Sequence, residues 1–347
     1  MQQTGNRVSD LSTGGGLITL PSTVFCRPVD GSSSRADAAE MNDLLVACLS
    51  AHGGLVTAIE AHSCGYTNVG LHRLVATGDL FRARSGCFVD GRLLNGATPE
   101  ERHALTARAV SRGYRQPHAI SHVSALVILG LPLLNITPHV VHLTLTGPGL
   151  PRTVPGLRVH PELPDSVVRL RDGDRVVHPA MAIVQSAALA GITAGVAAAD
   201  AALYSGQVTQ NDLEIALRVA RLGPGRADAR TAVDLADGLT ESPGESWTRV
   251  LLVSLGLPKV EPQVVIRDRQ GRFVGRVDFL FRAQRTIVEF DGLVKYGGAD
   301  GRQALVDEKR REDTLRSLGY QVVRLTWRDL HDPSSVRHLV WEAFSRS

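Results

Sequence analysis

Cysteine and aromatic side chains are scarce in this sequence. Four cysteines occur in 347 residues, namely Cys26, Cys48, Cys64 and Cys87. No two have C-x-x-C spacing and no run of histidines accompanies them, so a structural zinc site is not expected. The same scarcity fits a reduced protein rather than a disulfide scaffold. No apolar run reaches the roughly 18 residues that a membrane span needs. The first residues lack a basic stretch followed by an apolar core, which excludes a recognisable secretory leader. A cytoplasmic protein without a membrane partner is therefore expected. A dominant charge sign is also missing: 38 Lys and Arg face 35 Asp and Glu, a formal net charge of +3. Such a balance permits a nucleic-acid partner without arguing for one, so the case rests on where the charges sit.

The length suits two or three domains, and the pattern along the chain suggests where they fall. Residues 1–36 are rich in Gly, Ser and Thr, as in Gly14-Gly15-Gly16, and read as a disordered tail. Residues 37–95 read as a winged helix-turn-helix. Helices are expected over 41–50, 57–62 behind a Thr57 cap, and 68–77 behind a Thr67 cap with Gly78 as terminator. A hairpin of 80–84 and 87–89 follows. Residues 96–238 form a mixed middle domain, with strands at 140–145 and 157–160 and Ala-rich helices after 179. His122, beside Ser121 and Ser124, invites a catalytic reading, but a buried, hydrogen-bonded histidine is the simpler account.

Residues 239–347 give the clearest order: a helix over 245–255, strands at 263–267, 273–281 and 286–290, a helix over 305–318, a strand at 320–326 and a last helix over 335–344. The whole chain is thus of mixed α/β (α+β) class, ending in an αβββαβ unit.

Two carboxylates interrupt the strands of that unit. Asp278 lies in Val277-Asp278-Phe279-Leu280-Phe281 and Glu289 in Ile287-Val288-Glu289-Phe290. Strand interiors seldom hold lone acids, because desolvating one is costly. A hairpin centred on Ala283-Gln284 sets Asp278 opposite Glu289, with Cβ atoms roughly 4.5–5.5 Å apart. Like charges so placed need neutralising. A divalent cation held by oxygen ligands, Mg²⁺ or Mn²⁺, would do it, and such an ion supports phosphodiester hydrolysis. Solvated edge carboxylates, or a proton on one of them, would do it as well. Asp291 shares the Glu289 face, where it is either part of the site or the ion partner of Arg276. Glu245 either caps its helix within Ser242-Pro243-Gly244-Glu245 or reaches the acids. Among nearby cations, Arg310 and Arg324 are candidates for phosphate contact, whereas Lys309 and Arg311 read as a solvated helix face balanced by Asp307, Glu308, Glu312 and Asp313.

These motifs carry a resemblance. Ser242-Pro-Gly-Glu245, Arg276-Val-Asp278-Phe, Val288-Glu289-Phe-Asp291-Gly292, the run from Arg311 to Tyr320 and Val323-Arg324-Leu together resemble actinobacterial proteins whose domain is similar to very-short-patch-repair endonucleases, within the PD-(D/E)xK superfamily. The resemblance covers the last 105 residues or so, five motifs in order. It implies that Asp278 and Glu289 are the metal ligands and Glu245 the first-helix acid. The lysine usual two positions after the second acid is replaced by Asp291. Lys295 stands near the place of a histidine found in very-short-patch members, either as a catalytic group or as an ordinary loop lysine. The front segment, from His52-Gly-Gly-Leu-Val to Gly78-Asp-Leu-Phe-Arg-Ala-Arg, resembles the winged helix of AbiEi-like type IV antitoxins, and Ile120-Ser-His-Val-Ser and Asp200-Ala-Ala-Leu resemble the segment that follows it. That likeness implies a third helix in the DNA major groove, with Asn68, His72 and Arg73 facing bases or backbone and Arg82 and Arg84 of the wing meeting phosphate. It also implies a cognate toxin as a partner.

Overall fold

The structure, a computed structural model, describes residues 40–292 and 299–346. The expected tail, Cys26 and Lys295 lie outside them. The described chain is mixed α/β, with three separate sheets and several hydrophobic clusters.

The front segment runs α1 (Asp43–Ala51), β1 (Leu55–Thr57), α2 (Ala58–Ser63), α3 (Asn68–Thr77), β2 (Leu80–Arg84) and β3 (Cys87–Asp90). Local chemistry sets its breaks. Asn42 caps α1 by accepting from the Leu45 N–H. Thr57 and Glu60 exchange the two bonds of a capping box at α2. Thr67 caps α3, and Gly78, at φ 85°, ends it in the left-handed region that glycine adopts without strain. Beyond the expected hairpin, β1 adds a third strand in the order β1-β3-β2, pairing Leu55 with Val89. Three residues are too few to show a period-two pattern, so this strand carries no sequence signal.

The middle segment begins with α4 (Pro99–Gly113), β4 (His118–Ile120), α5 (His122–Ile128), β5 (Val141–Leu145), β6 (Arg152–Val154), β7 (Leu157–His160), β8 (Val168–Arg171) and β9 (Asp174–Val177). Four helices follow: α6 (Pro179–Ala190), α7 (Ile192–Tyr204), α8 (Gln210–Val219) and α9 (Arg226–Leu235). Its six strands lie in the order β6-β7-β5-β4-β9-β8. All five residues of β5 are buried, as a central strand covered on both faces should be. The two Ala-rich helices, α6 and α7, pack closely because their contact faces carry methyl groups. Gly195 of α7 sits where an added Cβ would come 2.4 Å from the Ala187 Cβ.

The rear segment runs α10 (Pro243–Ser254), β10 (Glu261–Arg267), β11 (Phe273–Phe281), β12 (Thr286–Asp291), α11 (Ala299–Ser317), β13 (Gln321–Thr326), α12 (Trp327–Leu330) and α13 (Pro333–Ser345). This is the expected αβββαβ order. Strands β10, β11 and β12 are antiparallel neighbours, and β13 joins β12 in parallel after the α11 crossover. One face packs on α10, α12 and α13 through Phe279, Phe281 and Leu325. The other holds Leu280, Ile287 and Leu315.

A buried ion pair joins the middle and rear segments. Asp200 of α7 is 1% exposed. Its carboxylate accepts from Arg249 Nη2 at 2.7 Å, Ser246 Oγ at 2.7 Å, Thr240 Oγ1 at 2.8 Å and the Asp237 N–H at 3.0 Å. Arg249 also donates to the Leu235 carbonyl. Replacing Asp200 leaves the buried Arg249 with only Asp237, part-exposed and 3.3 Å from its Nε, as a counter-charge. Asp200→Ala should therefore lower the unfolding free energy by about 3–5 kcal/mol. Chemical denaturation measures this, and a loss below about 1 kcal/mol would show the junction to be solvated.

Candidate functional site

The expected register is the observed one. Phe279 pairs with Val288, Leu280 with Ile287 and Phe281 with Thr286. One step further sets Asp278 opposite Glu289, and there the ladder stops. The Asp278 side chain replaces the missing rung, its Oδ2 accepting the Phe290 N–H at 2.8 Å. On its other side the β10–β11 pairing also skips a residue, Gln263, which takes φ 52°. A non-glycine residue held in the left-handed region stores strain of about 1–3 kcal/mol, a cost that concentrates at functional sites. Asp278 thus sits where both neighbouring ladders lapse.

Arg311 of α11 occupies the fork beyond the last β11–β12 pair. Its Nη2 donates to Glu289 Oε1 at 2.6 Å and to the Arg276 carbonyl at 2.8 Å. This corrects the reading of Arg311 as part of a solvated helix face. It also supplies a counter-charge for the facing acids from within the chain. The other acid carries its charge less readily: burial, opposed by the Phe290 N–H and reinforced by Glu245 and Glu289, raises the Asp278 pKa from 3.8 to about 6.

The remaining candidates fall on either side of this pair. Asp291 lines an open cleft of about 390 Å³ together with Asp278, Glu289 and Arg311. The proposed Arg276–Asp291 ion pair does not form, because Arg276 reaches Glu241 at 2.5 Å instead. Glu245 is buried at the N-terminus of α10, close enough to act on Asp278 electrostatically. Its oxygens are already committed, accepting from Ser242 Oγ at 2.7 Å, Gln263 Nε2 at 2.8 Å and the Glu241 N–H at 3.0 Å. The expected capping box is therefore only half formed, since Ser242 accepts the Glu245 N–H but Glu245 takes the Glu241 N–H in place of that of Ser242, while its proximity to the acids holds. Gly244, just before it, makes the approach possible: a Cβ there would stand 1.9 Å from the Phe290 ring. Arg324 does line the cleft, but its guanidinium is shared among Glu308 at 2.6 Å, Glu312 at 3.0 Å and Glu289 at 3.9 Å. Arg310 is exposed on α11, with Asp307 at 3.7 Å.

In the front segment, Asn68, His72 and Arg73 are all exposed on α3, and Arg82 lies beside them on β2. Arg82 Nη2 is 3.2 Å from His72 Nε2, and its guanidinium stacks over Phe88 at 5.6 Å. Asn68 Oδ1 lies 3.2 Å from His62 Nε2. Arg84 differs from the rest: its Nη1 donates to the Pro155 carbonyl at 3.1 Å, so it braces the wing against the middle segment.

His122 is buried and hydrogen-bonded, as the simpler reading held, but it is not isolated. It stacks on His160, which in turn meets His142. Burial, with Arg158 nearby, lowers the basicity of all three, taking His142 to about 4 and His160 to about 3. No local pattern marks this group, because its members lie on three separate elements.

No family model matches this chain. It is similar to two uncharacterised proteins of Mycobacterium tuberculosis, from strains CDC 1551 / Oshkosh and ATCC 25618 / H37Rv. Each is 29% identical over 195 residues, which is 56% of this chain and 70% of the relative. No helix among the described residues is long and apolar enough to cross a membrane.

Because folding raises the Asp278 pKa, the folded chain keeps a proton between pH 3.8 and about 6 that the unfolded chain has released. Stability therefore falls as pH rises through that window. Asp278→Asn should relieve the cost, stabilising the metal-free chain at neutral pH by about 1–2 kcal/mol after allowance for partial exposure, with no gain below about pH 4. Thermal melts across pH test this, and an Asn variant no more stable at neutral pH removes the buried-acid assignment.

Proposed function

We propose that this chain binds DNA and that its rear αβββαβ segment is a divalent-metal-dependent endonuclease. One observation carries the reading: Asp278, Glu289 and Asp291 converge on a single open cleft, with Glu245 behind them. The donor set consists of carboxylate oxygens, which suits Mg²⁺ or Mn²⁺. Asp278 and Glu289 would hold the ion, and once bound it would activate water and stabilise charge on the scissile phosphate.

The other side chains define what the protein itself contributes. Arg311 holds Glu289 in the fork and offers a fixed cation for a phosphate oxygen. A guanidinium does not give up its proton at neutral pH, so it cannot act as the base that a lysine could supply. Proton acceptance then falls to a carboxylate: Asp278 and Asp291 are the two in the cleft with no ion pair among the described residues, and with Asp278 assigned to the ion, Asp291 is left for the proton. Arg276, at the cleft margin, adds positive charge along the path of a backbone. The exposed α3 face, with Asn68, His72 and Arg73 beside Arg82, has the shape and polarity of a major-groove reader.

A second reading has a specific observation behind it. Glu289 already has a cation in Arg311, and Asp291 stands where the superfamily has lysine. Both features suit a non-enzymatic regulator of antitoxin type, in which the rear segment serves binding and a cognate toxin is the partner.

Supercoiled-plasmid nicking with and without Mg²⁺ separates the two. The nuclease reading expects metal-dependent nicking that Asp278→Ala reduces to background while the fold persists. Both readings expect salt-dependent DNA binding. For Arg73→Ala/Arg82→Ala, the slope of log K against log salt should shrink by about 2. Binding without cleavage leaves the regulator standing; no DNA affinity at low salt removes both.

A further inference from the structure

We propose that His122, His142 and His160 form a binding site for one divalent transition-metal ion of the zinc type, in the middle sheet and separate from the acidic cleft. Each ring comes from a different element: His122 opens α5, His142 lies in β5 and His160 ends β7. One nitrogen from each falls within 4.8 Å of the others. His142 Nδ1 and His160 Nε2 are 2.9 Å apart, while His122 lies over His160 with ring centroids 3.6 Å apart.

Several features set this group apart from incidental packing. His122 takes φ 52°, a strained conformation for a residue with a Cβ, and that conformation delivers its ring to the other two. His122 and His142 are 8% and 7% exposed, whereas His160 is only partly buried and leaves a way in from solvent. The surroundings resemble the outer shell of a metal site. Ser121 Oγ lies 3.0 Å from His122 Nδ1; in the tautomer in which Nδ1–H donates to it, Nε2 carries the lone pair that a metal would take. The His142 backbone N–H is fixed by Ser124 Oγ at 2.9 Å. Thr144, two residues after His142 and paired with His160, keeps a buried hydroxyl without a hydrogen-bond partner.

Uncharged imidazoles without a carboxylate among them suit a borderline ion such as Zn²⁺ and disfavour Mg²⁺ or Ca²⁺. Two nitrogens bound at about 2.0–2.1 Å in a tetrahedral shell stand about 3.3 Å apart. The His142–His160 pair must therefore open by only a few tenths of an ångström. The stack of His122 on His160 must open further, through rotation of the His122 ring about its Cβ–Cγ bond. Three histidines leave a fourth position for water. The competing group, Cys48, His52 and Glu60, is less suited. Glu60 is consumed by the α2 cap and by Arg112 Nη2 at 2.5 Å.

The experiment uses the full chain, stripped of metal and titrated with Zn²⁺ against a competing chromophore. One equivalent should bind, and His122→Gln and His160→Gln should each weaken it by more than about 100-fold with unchanged circular dichroism. Cys48→Ser and Asp278→Ala should leave it intact. X-ray absorption of the zinc-loaded parent, which needs no variant, should show imidazole nitrogens at about 2.0–2.1 Å and no sulfur. A sulfur shell at about 2.3 Å, binding that survives both histidine variants, or no stoichiometric binding by the parent each overturns the proposal. The last outcome would leave the three rings as a metal-free hydrogen-bonded stack.

Discussion

A carboxylate taken out of water must find a counter-charge, a set of donors or a proton, and this molecule uses all three answers. Asp200 takes an arginine and a ring of hydroxyl and amide donors. Glu245 has donors alone: a serine hydroxyl, a backbone N–H and a glutamine amide. Glu289 has an arginine. Asp278 receives a single backbone N–H, and a carboxyl so poorly provided for leans toward its protonated form. Its neighbours in the sheet withhold further donors, since the ladders on both sides lapse at its position. The least satisfied of these four acids faces the open cleft beside Glu289, while Asp200 and Glu245 hold the scaffold together.

The two kinds of site in the chain follow from the same economy of partners. The acidic cleft gathers hard oxygen donors at the edge of a short ladder and keeps arginines at its rim. The histidine group gathers uncharged, borderline nitrogen donors from two strands of the middle sheet and the start of α5. Neither donor set would serve the other's ion well. On the proposed readings, the two chemistries lie on different sheets.

Much of this was legible in the residues, for physical reasons. Thr67, Asn68–Thr77 and Gly78 mark both ends of α3 because caps are local chemistry. The Asp278–Glu289 register followed from the length of the loop between two apolar runs. What escaped notice depends on distance in space. Arg311 looked like one more charge on a helix surface, because its partner comes from a strand 22 residues away. Arg84 looked ready for phosphate, because nothing local indicates the Pro155 carbonyl, 71 residues on. The three histidines come from elements that only the fold brings together, and β1 was too short to have a pattern.

Gly244 shows how small a group can set the spacing of a site. Alanine suits a helix better than glycine, by about 1 kcal/mol in the interior and by less in the first turn, where Gly244 lies. Helix stability alone would therefore favour a methyl group at this position. The Phe290 ring occupies the volume that methyl would need, and Phe290 is the residue whose N–H holds Asp278. A gain in one helix would be taken from the distance between that helix and the strand carrying the acids. Which residue fits at this position is thus set by the bulk of the neighbouring Phe290 ring, and hardly at all by the helix in which the residue lies.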